Sequence, residues 1–148
     1  MKIEKKYIQI DVEAADCFEA IEMAAAPLVL DGKITEDYVR AACKREEEFP
    51  TGLPTVIGVA IPHAEPEFVK EEAIGLITLK KPVMFHGMGA PEEEIETSVV
   101  FLLAITDGER QIKMLQKIVL MIQDEMVLQK ITGANSPEKI YNLINEFE

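Results

Sequence analysis

The chain lacks what several functional classes require. It has only two cysteines, Cys17 and Cys43, both in segments that read as helical. These make neither a disulfide framework nor a paired-cysteine zinc site. Reduced, buried thiols are the simplest reading. Basic residues are scarce: 15 Lys and Arg face 27 Asp and Glu, for a formal net charge of -12. Nucleic acid and anionic membrane surfaces both select clustered cations, so no nucleic-acid partner and no membrane face are expected. The acid fits a soluble protein, and it also complements a basic partner. No apolar run approaches the ~20 residues of a membrane span. The opening MKIEKKYIQIDVE has no apolar signal core, so a cytoplasmic protein is expected. Eight Gly and eight Pro are too few for a low-complexity class.

What remains is ordinary globular material. The 148 residues are 48% hydrophobic and 28% charged. That length and balance predict one domain over residues 1–148, large enough to bury a core without staples.

Hydrophobic spacing divides the chain into alternating elements. Residues 7–11 read as a short strand. Asp16 caps a helix from Cys17 to about Val29, with Phe18, Ile21, Ala25 and Leu28 inward. Gly32 ends that unit. Thr35 caps a second helix, with Tyr38, Val39 and Ala42 inward, and Pro50 and Gly52 follow its end. Residues 55–61 (TVIGVAI) read as a buried strand stopping at Pro62-His63. Residues 72–79 (EAIGLITL) read as another, ended by Pro82. Residues 98–105 (SVVFLLAI) form the most apolar run and read as a central strand. Thr106 and Glu109 suggest a capping box for a helix over about 109–123. One stripe of that helix is Ile112, Leu115, Val119 and Ile122. A second is Met114, Ile118 and Met121, which reads as a buried face in preference to a docking surface. A short helix from Asp124 to Thr132 closes at Gly133. Ser136-Pro137 opens the last helix, with Ile140, Leu143, Ile144 and Phe147 on one face. This alternation predicts an α/β fold, a central mostly buried mixed sheet with helices on both faces.

Histidine is as rare as cysteine, with His63 and His86 alone. His63 directly follows a buried strand, a rigid place from which to present an imidazole. Imidazole is a competent nucleophile for a covalent intermediate. A phosphate-carrying histidine needs one ring nitrogen free and the other held as an N–H donor. It also needs donors and a cation for the phosphoryl oxygens. The stretch REEEFPTG supplies such groups: Arg45 as a forked donor, Thr51 with a hydroxyl, and Gly52 permitting close backbone approach. Each of these is also a common surface feature, and a histidine after a strand serves structure more often than chemistry. The residues alone leave both readings open. Glu65 is near enough in sequence to accept a proton from the His63 ring and raise its pKa, or to be a surface charge. His86 reads as structural or exposed. Two histidines without paired cysteines make a metal site the weakest reading.

REEEFPTG followed by IGVAIPHAE resembles the enzyme IIA domain of the fructose–mannitol class of bacterial phosphotransferase systems. REEEFPTGL with IPHAE is most similar to the galactitol-type branch. PVMFHGMG at 82–89 and the apolar strand followed by QIKMLQKI extend the resemblance over nearly the whole chain. The pairing of R-E-x-x-x-x-T-G with I-P-H is specific, whereas either half alone is weak. The resemblance implies that His63 is phosphorylated and that Arg45 is the phosphate-side cation. Thr51 and Gly52 belong to the surrounding loop. It implies the carrier HPr as donor, a IIB component as acceptor and a membrane IIC beyond it, with no metal or nucleotide cofactor. One departure stands out. Many members of the wider class have a second histidine where this chain has Gln111, a candidate site residue whose amide can donate to the His63 imidazole or to a phosphoryl oxygen but carries no charge. A regulatory module of the same fold, acting by docking, is the alternative that His63 does not separate from a carrier.

Overall fold

The computed structural model describes residues 3–147. Its elements in chain order are β1 (Ile8–Val12), α1 (Cys17–Leu30), α2 (Glu36–Glu48), β2 (Gly52–Leu53), β3 (Gly58–Ala60), β4 (Ala73–Gly87), β5 (Ala90–Ala104), α3 (Gly108–Ile122), α4 (Glu125–Gly133) and α5 (Pro137–Glu146). The five strands form one mixed sheet in the order β1-β4-β2-β3-β5, and β4 also pairs with β5. β1 runs parallel to β4, and β3 parallel to β5. β4 and β5 form a long antiparallel hairpin.

Successive strand residues face opposite sides of the sheet, and each side has its own core. Val99, Phe101 and Leu103 pack with Ile118, Met121, Leu128, Ile140 and Ile144, so α3, α4 and α5 cover one face. Val100, Leu102 and Ala104 pack with Ile21, Ala24, Leu28, Tyr38 and Ala42, so α1 and α2 cover the other. This is the α/β layering expected from the alternation. Burying both faces of β5 accounts for its unbroken apolar run.

Helix starts follow side-chain capping. Asp16 accepts from the Glu19 N–H, Asp124 from the N–H groups of Met126 and Val127, and Ser136 from that of Lys139. Thr35 precedes α2 as expected, although its side chain makes no capping bond. The cap of α3 is Asp107, not Thr106, and it accepts from the Glu109 N–H. The Thr106 hydroxyl instead turns to the carboxylate of Glu72, 3.4 Å away.

The strands differ from expectation at several points, and β5 starts at Ala90 instead of near residue 98. The segment at 55–61 yields only Gly58–Ala60, because Thr55 folds back through its hydroxyl onto the Ile57 carbonyl, 2.6 Å away. β4 does not stop at Pro82 but runs to Gly87. Its register against β5 shifts between Thr78 and Val83, and Pro82, which has no N–H to donate, lies within that irregularity. The segment at 82–89 is therefore mostly strand, and His86 pairs with Glu94 across the hairpin. Gly89 turns the hairpin at φ 73°.

On α3 the expected buried face holds at Ile118 and Met121, and it is the other stripe that departs from expectation. Ile118, Met121 and Ile122 are the buried positions, whereas Ile112 is 58% exposed. Ile112, Leu115, Val119 and Leu120 line an open groove of about 330 Å³ with Ile61 and Met88. No helix of the described residues is long and apolar enough to cross a membrane.

Candidate active site

His63 stands just beyond β3, where the Pro62 carbonyl accepts from the Leu103 N–H at 3.1 Å. This bond ties the histidine to the buried end of β5. The His63 side chain is nearly buried, at 8% exposure. Its Nδ1 lies 2.9 Å from the Ile61 carbonyl oxygen. A carbonyl only accepts, so Nδ1 carries the proton and Nε2 keeps its lone pair. Nε2 has no hydrogen-bond partner among the described residues, yet it is not sealed from solvent as the Arg45 Nε is. Burial lowers the His63 pKa most, and the Arg45 charge lowers it further. The Ile61 carbonyl and Glu65 act in the opposite direction without outweighing burial. The ring is therefore neutral at neutral pH.

Arg45 comes from the last turn of α2. Its guanidinium lies 5.3 Å from the Phe49 ring centroid and 3.8 Å from a Glu65 carboxylate oxygen. The second distance is too long for a hydrogen bond. Nε of Arg45 is buried without a partner among the described residues. The fork thus has donors uncommitted, and its charge acts on the His63 ring. Glu65 is exposed and faces Arg45, and Ile61, not Glu65, takes the ring proton of His63.

Thr51 is buried and works through the backbone. Its hydroxyl accepts from the Ile61 N–H at 3.2 Å and donates to Glu46 at 2.9 Å. Gly52 pairs with Ala60 and Gly87, and a Cβ there would stand 2.6 Å from the His86 carbonyl oxygen. Its small size admits the β4 backbone. Gln111, in the first turn of α3, donates from Nε2 to the Ala64 carbonyl at 3.1 Å. It therefore holds the residue after His63 and not the ring itself.

Two contributors were not singled out in the sequence. Tyr38, read there as core, donates its hydroxyl to the Leu103 carbonyl and accepts from the Ala64 N–H at 3.1 Å. Glu46 is 6% exposed beneath Thr51, although it sits within a run of three acids that reads as a solvated face. The fixed spacing of Glu46 to Thr51 was the only available signal. Among the described residues no group of three or more His, Cys, Asp or Glu is placed to hold a metal ion.

The resulting site is a neutral imidazole with one nitrogen tied and the other free, beside an arginine with donors to spare. The family model for the phosphoenolpyruvate-dependent sugar phosphotransferase system, EIIA 2, matches residues 1–147. The chain belongs to this family. By that family it is an enzyme IIA of the fructose–mannitol type.

Among curated relatives, it is 29% identical over 133 residues to the PTS system 2-O-alpha-mannosyl-D-glycerate-specific EIIABC component of Escherichia coli (strain K12). That match covers 86% of this chain and 20% of the relative, so the chain spans about a fifth of that longer protein. It is 25% identical over 144 residues to the ascorbate-specific PTS system EIIA component of the same strain, covering 96% and 91% of the two chains. A solved complex of enzyme IIAMTL and phosphorylated enzyme IIBMTL from Escherichia coli matches with TM-score 0.77 and 23% identity, over 97% of each chain. This likeness is one of fold.

Proposed function

We propose that residues 1–148 act as a single enzyme IIA domain that carries phosphoryl on Nε2 of His63. The observation behind this reading is the 2.9 Å contact of Nδ1 with the Ile61 carbonyl, which leaves Nε2 as the free nucleophile. The lone pair of Nε2 attacks the phosphorus of a phosphohistidine on the carrier HPr. The donor's P–N bond breaks as the new P–N bond forms, and the donor imidazole leaves with the bonding electrons. The reverse geometry then delivers the group to a IIB component, and from there to sugar entering through a membrane IIC.

Positioning and electrostatics suffice for such a transfer, and no metal or nucleotide cofactor is part of the scheme. Arg45 supplies the forked cation for the phosphoryl oxygens. Thr51, Gly52 and Gln111 support the loop and the histidine backbone, while Glu65 lies 3.8 Å from the Arg45 guanidinium. The carrier works in the cytoplasm, where HPr and IIB meet the face containing His63 and the groove of Ile61, Met88 and Ile112. Sugar choice lies with those partners, because enzyme IIA touches proteins and not sugar. The galactitol-type resemblance makes galactitol the first sugar to try.

Intact-mass analysis after incubation with phosphoenolpyruvate, enzyme I and HPr tests this reading. The expected result is an acid-labile gain of one phosphoryl group that His63→Ala lacks. A wild-type chain that gains nothing beside an active control enzyme IIA overturns it.

A further inference from the structure

Glu46 is a buried carboxylate that the transfer scheme leaves unused. Both of its oxygens serve Thr51: Oε2 accepts from the backbone N–H at 2.7 Å, and Oε1 accepts from the hydroxyl at 2.9 Å. The hydroxyl has its proton committed to Glu46, so its lone pair faces the Ile61 N–H, 3.2 Å away. The Thr51 carbonyl shares that N–H at 3.4 Å. The Ile61 carbonyl, in turn, accepts from Nδ1 of His63 at 2.9 Å. Hydrogen bonds thus run from Glu46 through Thr51 and the Ile61 residue to the ring. Holding a turn alone would not need a buried charge, which costs desolvation wherever it is placed.

We propose that Glu46 is a positioning residue for the phosphoryl-accepting histidine. Its ionised carboxylate orients Thr51, Thr51 fixes Ile61, and the Ile61 carbonyl keeps Nδ1 protonated and Nε2 free. This inference rests on the reading of His63 as the phosphoryl acceptor.

The surroundings of Glu46 make the device sensitive to pH. Its pocket of about 330 Å³ is lined by Cys17 and Phe18 of α1, Glu47 and Pro50 beside it, and His86 and Pro91 of the hairpin. Burial pushes the Glu46 carboxyl up to about 7, opposed by the Thr51 hydrogen bonds and by the Arg45 and His86 charges. The thiols of Cys17 and Cys43 also face it electrostatically, and burial holds both up at about 11, so they stay neutral. Protonation of Glu46 takes an acceptor from Thr51 and loosens the chain of bonds. Transfer by the wild type therefore declines as pH falls through about 7. The neutral His63 ring alone would sustain it to below the ordinary imidazole value of 6.5.

Glu46→Gln and Glu46→Ala test this through two measurements. The first is the rate of phosphorylation by phospho-HPr across pH. The second is the 15N ring spectrum of His63, which reports its tautomer. Glu46→Ala should slow transfer by about tenfold or more through misplacement of the nucleophile. In both variants the Nδ1–H fraction should fall. Glu46→Gln keeps the shape without a titrating group, so its acid decline should move below that of the wild type. An unchanged acid decline in Glu46→Gln overturns the proposal. So does a folded Glu46→Ala with the wild-type rate and tautomer. If Glu46→Ala does not fold, Glu46→Gln carries both readouts. A wild type that accepts no phosphoryl group contradicts the His63 reading, and the tautomer comparison still decides the role of Glu46.

Discussion

The Tyr38 hydroxyl accepts from the backbone N–H of Ala64 at 3.1 Å, and so fastens the peptide that follows His63 to α2. The same hydroxyl donates to the Leu103 carbonyl on β5. Burial pushes the phenol up to about 12, which keeps it protonated and able to donate. Tyr38→Phe leaves the ring packing and removes both bonds. It should cost about 1–3 kcal/mol of stability, because buried groups lose their partner. Urea unfolding of the two proteins measures this, and phosphorylation should be slowed as well.

Arg45 is half-exposed, and its guanidinium is 3.8 Å from the Glu65 carboxylate. Little stability depends on so loose a pair. Arg45→Ala should therefore unfold within about 1 kcal/mol of the wild type while transferring phosphoryl about a hundredfold more slowly. Arg45→Lys should recover only part of the rate, because a point charge does not replace the planar fork. Unfolding curves and single-turnover phosphorylation separate the two effects.

Gly52 faces the β4 backbone so closely that a Cβ would meet the His86 carbonyl oxygen at 2.6 Å. The substitution Gly52→Ala forces that backbone to shift, at a cost of about 1–3 kcal/mol. A fall in thermal midpoint checks it. A neutral effect would mean that β2 and β4 separate readily.

Stability should depend on pH in two opposing ways. His63 has its pKa lowered in the fold, so the unfolded chain binds its proton more readily. Its contribution is full above the ordinary value of 6.5 and is lost as pH falls through the lowered one. Glu46 has its pKa raised from 4.5 to about 7, so the folded chain binds that proton more readily. Its contribution is full below 4.5 and is lost as pH rises through about 7. Relative to the wild type, Glu46→Gln should gain stability between those two values, by ~3 kcal/mol at most. Urea unfolding of both proteins at several pH values reads the difference. Parallel curves would contradict the raised carboxyl.

Much of the layering was legible because β5 is read from both sides. Val99 to Ala104 is apolar at every position, and only a strand covered on both faces accounts for that. The helix starts at Asp16 and Ser136 were legible because capping is local. The continuation of β4 through Pro82 was not, since a register irregularity absorbs the proline and its evidence lies in the partner strand. Strand order depends on pairings between distant segments, such as Gly52 with Gly87, which periodicity does not encode. At the site, His63 and Arg45 stood out by residue type and motif. Glu46 is a fixed position of the R-E-x-x-x-x-T-G pattern but drew no role of its own, because Glu46, Glu47 and Glu48 are chemically alike and only the first turns inward. The Ile61 carbonyl is a backbone group and has no sequence signature at all.

The most direct test of the account is the position of the phosphoryl group on the His63 ring, read from long-range proton–nitrogen NMR of the phosphorylated protein. The account predicts phosphorus on Nε2, with the Nδ1 proton still bonded to the Ile61 carbonyl 2.9 Å away. Phosphorus on Nδ1, or on a residue other than His63, would contradict it.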